Sequence, residues 1–198
     1  RDGDGALAFV RAETLERHMA ALCPPATLEA VSGAAAVLAG ARRIYALGYR
    51  SSYPVASHFA YVYGLAGGAV RLLDGAGGTG PDPLWEAKPG DALLAVSVKP
   101  YTRAAVELVD YALTRKLEIV AITDSIVSPL VSRARAAIIV PTDSPSFFHT
   151  MTPAFAIAET LAAMLVAAAG DGALAAMRDV ERQFDALSTH IYEPRQRL

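Results

Sequence analysis

Five short runs in this chain are near-continuously apolar: Arg43–Gly48, Ala69–Asp74, Asp91–Ser97, Glu118–Thr123 and Ala136–Val140. They lack the in–out alternation of a sheet with one wet face. A strand that reads this way is buried on both sides, which is the pattern of a parallel sheet covered by helices. Helical periods fall between the runs. Ser52 to Leu65 is one, with Pro54 tolerated in its first turn. Thr102 to Lys116 is another, with Val106, Val109 and Leu113 along one face. Alternation of strand and helix predicts an α/β fold, a doubly wound, five-stranded parallel sheet flanked by helices.

The ends of the chain read as helix. Leu7 to Leu22 places Leu7, Val10, Leu15, Met19 and Leu22 at roughly helical spacing, and Pro24-Pro25 stops it. Thr27 to Ala39 follows, with Gly40 as its cap. Pro153 to Ala169 and Gly172 to Leu187 close the chain, and Pro129 to Arg133 suggests a short helix. The expected organisation is N-terminal helices over 1–40, the sheet-bearing domain over 41–170, and a last helix and tail over 171–198.

Composition narrows the function. The 198 residues are 53% apolar and carry 18 Lys and Arg against 20 Asp and Glu, a net charge of -2. This segment has no basic footprint for nucleic acid of its own, and no charge that favours an anionic membrane. A single cysteine, Cys23, rules out an internal disulfide and a thiolate metal cluster. It points to a reducing, cytoplasmic setting, with Cys23 expected as a buried or half-buried structural thiol. No signal peptide is visible. Pro153 to Ala169 contains Glu159 and falls short of the ~20 residues of a membrane span, so burial in the fold or in a subunit interface is expected. The first residue is Arg1, read as a piece of something longer.

The chemistry sits at two strand-to-helix junctions. Ala46-Leu-Gly-Tyr-Arg-Ser-Ser52 closes the first strand, and Ala95-Val-Ser-Val-Lys-Pro-Tyr-Thr102 closes the third. Open α/β sheets bind ligands at the carboxyl ends of their strands, and helix N-termini favour anions. Ser51, Ser52, Ser97 and Thr102 therefore mark a site for a small phosphorylated, hydroxyl-rich ligand, with Arg50 and Lys99 as cations. Ser and Thr are also good helix N-caps, and that role alone would account for them. His149, after Phe147-Phe148, either lines the site as a hydrogen-bond donor or packs at a loop–helix junction. His18, His58 and His190 have no metal-ligand spacing, and no metal is expected. The Gly75–Gly80 loop lacks the Lys-Ser/Thr of a phosphate-binding loop and reads as surface. Asp74 ends the second strand where a dinucleotide fold keeps its ribose acid. The Gly-x-Gly-x-x-Gly set is missing, so no nicotinamide cofactor is expected and Asp74 reads as a strand-end cap.

These junctions resemble the SIS (sugar isomerase) domain, a phosphosugar-binding α/β sandwich of flavodoxin-like type. Its strand-one signature, Gly-x-Gly-x-Ser-x-x-x-Ala, is matched at Gly48, Ser52 and Ala56, with Arg50 in place of the second Gly. Its strand-three signature, close to Ile-Ser-x-Ser-Gly-x-Thr-x-Glu, is matched at Ser97 and Thr102. The second Ser, the Gly and the Glu are missing, with Ala104 where the Glu would stand. Ile119–Asp124 and Ser128-Pro129-Leu130 resemble the fourth strand and its turn. The N-terminal helix, Leu28–Gly48, Pro141–His149 and the two closing helices resemble the effector domain of RpiR/MurR-type transcription regulators. The resemblance implies a phosphosugar or sugar-acid-phosphate sensor, a homodimer or higher homo-oligomer. DNA would be reached only through a helix-turn-helix domain that this sequence does not contain. SIS isomerases move protons with a Glu, often with a His or Lys. Glu86 and Glu107 have no motif behind them, so binding without turnover is expected. A stand-alone isomerase and a dimerisation module with a vestigial pocket are the alternatives.

Overall fold

Residues in the middle of the runs 43–48, 91–97 and 118–123 have no polar face to offer water, and the fold leaves none of them exposed. The computed structural model describes residues 2–190. Helices α1 (Asp2–Ala20) and α2 (Pro25–Ala39) lead into β1 (Ile44–Gly48) and α3 (Tyr53–Leu65). Then come β2 (Val70–Leu72), β3 (Ala92–Val96), α4 (Arg103–Thr114), β4 (Glu118–Thr123), β5 (Ala136–Ile139), α5 (Thr152–Ala169) and α6 (Asp171–Ala186). All five strands are parallel, in the order β2-β1-β3-β4-β5.

Successive residues of each central strand enter opposite cores, so both must be apolar. One core takes Ile44, Ala46, Leu94, Val96, Val120 and Ile122 against α2, α3 and α5. The other takes Tyr45, Leu47, Leu93, Ala95, Ile119 and Ala121 against α4, Leu84 and Leu130. The α2 residues Val31, Ala34, Ala35 and Leu38 belong to the first core. Helix α5 buries Ala154, Ile157, Ala158, Leu161, Ala162 and Leu165. By itself it is the one helix among the described residues long and apolar enough to cross a membrane, and this face of it is packed inside the fold.

Three expectations are corrected. Leu7 and Val10 do not face the core, and with Phe9 they are exposed. The inward positions of α1 are Thr14 and His18, one turn apart. Cys23 is exposed, because it lies in the turn beyond the end of α1 rather than on its buried face. The segment 129–133 forms only a single 3-10 turn, Val131–Arg133.

Strand order places the site. Gly48 pairs with Val96, so β1 and β3 end side by side. From β1 the chain crosses to β2 on one side, while β3 lies on the other. The crevice outside that switch point is where such sheets take ligands.

Candidate functional site

The β1–α3 turn depends on a glycine. A Cβ on Gly48 would lie 2.3 Å from the Ser52 carbonyl oxygen and 2.7 Å from its carbon, so only glycine lets the chain fold back over the strand end. Tyr49 is extended. Arg50 then takes the left-handed conformation, φ +54. A single 3-10 turn, Arg50–Ser52, follows before α3 begins at Tyr53. Ser52 is not a side-chain cap, and its N–H donates to the Tyr49 carbonyl at 3.0 Å. Its side chain is 3% exposed, and among the described residues the hydroxyl makes no hydrogen bond. The capping role that would account for Ser52 without a ligand is thus not the one it plays here.

The second wall comes from β3. Ser97 is 4% exposed, and its N–H donates to the Ile122 carbonyl at 3.1 Å. Its hydroxyl too has no partner among the described residues. Thr102 holds the N-cap position of α4 without a capping side-chain bond. The third wall is the β5–α5 loop, which delivers Phe148 and His149. The His149 ring stacks on Phe148, 4.3 Å between centroids, and its Nε2 lies 2.8 Å from Ser51 Oγ.

Together these walls line a cavity of about 180 Å³, partly open to solvent, formed by Tyr49, Arg50, Ser51, Ser52, Ser97, Val98, Pro100, Thr102, Phe148 and His149. Six of the seven residues expected from the sequence meet here. Lys99 does not. It is exposed, and its backbone N–H donates to Asp124 Oδ1 at 3.3 Å while Val98 lines the cavity. Tyr49, Val98, Pro100 and Phe148 were not singled out by sequence. Tyr49 directly follows β1 and Val98 lies two residues beyond β3, so their place at a strand end was a usable signal.

The lining carries no carboxylate, and Arg50 forms no ion pair among the described residues. An anion entering here meets a guanidinium fork and several hydroxyls with no competing acid. Burial holds the Tyr49 phenol above its ordinary pKa, so it enters as a neutral hydroxyl. The acids near the motifs are engaged elsewhere or face solvent. Glu86 bonds Arg43 at 3.1 Å and Arg71 at 3.0 Å, and Glu107 is exposed on α4. Asp74 accepts from the Ala76 N–H at 2.8 Å, the strand-end role expected of it. Among the described residues no cluster of three or more His, Cys, Asp or Glu could hold a metal.

A family model described as the SIS domain matches residues 37–168. This chain belongs to the SIS domain family. No curated protein sequence matches the chain. Solved structures do. The sugar isomerase domain of an RpiR transcription factor from Sphaerobacter thermophilus superposes with a TM-score of 0.79 at 24% identity, covering 92% of this chain and 99% of that one. The NanR protein of Vibrio vulnificus, complexed with ManNAc-6P, gives 0.76 at 16% identity, with 92% and 69% covered. Phosphoheptose isomerase GmhA from Neisseria gonorrhoeae gives 0.64 at 16%, with 83% and 97% covered. At such identities the likeness establishes the fold, which regulators and isomerases share. Within this SIS domain the departure at Arg50 now has a physical meaning. The residue standing where the signature has glycine keeps a glycine-like backbone.

Proposed function

We propose that this SIS domain is the phosphosugar-sensing effector domain of a bacterial RpiR-like transcription regulator, its ligand a phosphorylated sugar or sugar acid. The observation that carries this reading is the pair of hydroxyls of Ser52 and Ser97, which have no protein partner among the described residues and line one carboxylate-free cavity. A hydroxyl can both donate and accept, so two unengaged hydroxyls on one cavity wall suit a hydroxyl-rich or phosphate-bearing ligand. Arg50 supplies the charge, and Ser51, Thr102 and His149 supply further polar contacts. Likeness to NanR, a structure complexed with ManNAc-6P, supports this ligand class, and likeness to the domain of an RpiR transcription factor supports the regulator. In this proposal the domain acts in the cytoplasm as a homodimer or higher homo-oligomer. It meets DNA only through a helix-turn-helix domain outside this sequence.

The isomerase reading has one observation in its favour: His149 is a titratable group on the cavity wall, 2.8 Å from Ser51. Against it stands the lack of a lining carboxylate, with Ala104 exposed on α4 where the signature has Glu. Sugar isomerisation needs a placed acid–base group, and sensing does not.

A thermal-shift screen against phosphorylated sugars, sugar acids and their unphosphorylated forms tests the proposal. Ligand that binds only the folded state raises Tm by mass action. The expected result is a saturable shift that requires the phosphate. Removing one hydrogen bond to a charged ligand weakens binding by roughly 10- to 100-fold, so Ser52→Ala and Ser97→Ala abolish the shift at moderate concentration while folding normally. No shift with any phosphorylated compound rejects the phosphate site. Turnover of an aldose or ketose phosphate establishes the isomerase instead.

A further inference from the structure

The loop over 141–150 brings Phe148 and His149 to the cavity, yet no residue from 141 to 149 is buried. Apolar packing therefore does not hold it in place, and hydrogen bonds must. The Thr150 N–H donates to the Thr142 carbonyl at 3.0 Å and closes the loop at its base. Ser146 Oγ bonds Ser144 and Phe148 inside it. Two further sets of bonds reach outward. On the cavity side His149 meets Ser51. On the other side α1 grips the loop. His18 Nε2 lies 2.8 Å from Asp143 Oδ1, Arg17 donates to Oδ2 at 3.3 Å, and Arg11 donates to Ser144 Oγ at 3.3 Å.

His18 gives this grip its weight. Its side chain is 2% exposed while that of Asp143 is 69% exposed, so the imidazole is inside the fold and the carboxylate caps it from the edge. The other ring nitrogen, Nδ1, is buried without a hydrogen-bond partner among the described residues. Loss of Asp143 would strip the ring of its one polar partner among the described residues. An exposed ion pair such as Arg17–Asp143 contributes little, whereas a bond that satisfies a buried donor is costly to lose.

We infer that Asp143 is a positioning residue for His149, and that through it α1 and the cavity are energetically coupled. A ligand that engages His149 fixes the loop and so tightens the Asp143–His18 contact. By reciprocity, any restraint on α1 strengthens binding in the cavity. Occupancy is thereby reported at α1, about one loop away from the ligand. The functional meaning of this coupling rests on the cavity being the ligand site proposed above.

The test uses ligand-free protein, so its outcome is independent of whether any phosphosugar binds. Carbethoxylation by diethylpyrocarbonate, read residue by residue by mass spectrometry, reports how free the His149 imidazole is. His58, on α3 and bonded to Glu159, is the internal control. Loss of the Asp143 contact shifts the loop's opening equilibrium roughly 3- to 10-fold. Asp143→Ala is thus expected to raise His149 labelling by that factor with His58 unchanged. Asp143→Asn keeps an acceptor for His18 and stays close to wild type. Ser51→Ala, which cuts the bond at the cavity end, is expected to speed amide hydrogen exchange over residues 11–20 of α1. If Asp143→Ala does not fold, the double variant Arg11→Ala/Arg17→Ala removes only exposed bonds and is expected to raise labelling about twofold. Unchanged His149 labelling in the folded variant, labelling that rises in step with His58, or α1 exchange indifferent to Ser51→Ala overturns the inference.

Discussion

Arg50 sets a conformational demand against a chemical one, and two substitutions separate them. Its backbone is left-handed, φ +54, which costs an L-residue with a Cβ about 1–2 kcal/mol. Arg50→Gly removes that strain. Glycine also loosens the unfolded chain, which takes back about 0.4–1 kcal/mol. Arg50→Ala keeps the strain and loses the same guanidinium. The Arg50 side chain is exposed and has no ion pair among the described residues, so its removal in either variant changes little else. Arg50→Gly is therefore expected to be more stable than Arg50→Ala by about 0.5–1 kcal/mol. With a urea m-value near 2 kcal/mol per molar, the midpoints differ by about 0.3–0.5 M. Urea unfolding followed by circular dichroism measures it. Both variants lose one exposed charge-assisted contact to an anion, roughly tenfold in affinity, and titration with a sugar phosphate found in the thermal-shift screen reads that separately. Equal stability of the two variants, or a more stable Ala variant, refutes the argument that the turn wants glycine here. Equal affinity of wild type and variants refutes the role of the guanidinium.

Gly48→Ala drives a methyl into the Ser52 backbone. The turn must shift, at about 2–3 kcal/mol in chemical denaturation, and phosphate-dependent binding should fall with it. Asp143 is held below the usual carboxylate range, chiefly by its hydrogen bond from His18. A carboxylate with a depressed folded-state pKa adds stability above its unfolded value, which is lost as pH falls through the folded one. The α1–loop contact is thus expected to lose no stability to Asp143 titration between about pH 5 and 8 and to weaken below about pH 4, as hydrogen exchange in α1 can show. Cys23 is exposed, so a thiol reagent such as DTNB should modify it in the folded protein at close to the rate of the denatured chain. Strong protection would contradict its placement.

Much of this architecture was legible in the chain. The runs 43–48, 91–97 and 118–123 fall within two residues of β1, β3 and β4, because strands buried on both faces must be apolar at every position. The edge strand was less clear. Only Val70–Leu72 pairs, and none of its residues is fully buried, so its apolar pattern overstates its length. Helix α1 misled for a related reason. Leucines at helical spacing suggest a buried stripe, yet residues 5–13 of α1 are exposed, and the buried positions are a threonine and a histidine. At the site, hydroxyls at two strand ends pointed to the crevice in which they meet. Lys99 was drawn in by its neighbours, although Val98 and Pro100 on either side of it line the cavity and Lys99 itself is exposed. No local pattern marked Phe148, because it reaches the cavity from a loop nearly one hundred residues after the β1 turn.

By itself, the sequence determined what is set by periodicity and by residue chemistry over a few positions. That covers a parallel α/β sheet, glycine at the close turn, and hydroxyls at the ends of the first and third strands. The tertiary structure decided what depends on residues far apart in the chain. Strand order put the ends of β1 and β3 side by side at the switch point. Packing left Ser52 and Ser97 without side-chain partners among the described residues and turned Lys99 outward. The β5–α5 loop, gripped by His18 from α1, brought His149 onto Ser51. Local pattern records which face a residue must bury. Which distant residue meets it there is set by how the layers close over the sheet, and no short stretch of sequence encodes that.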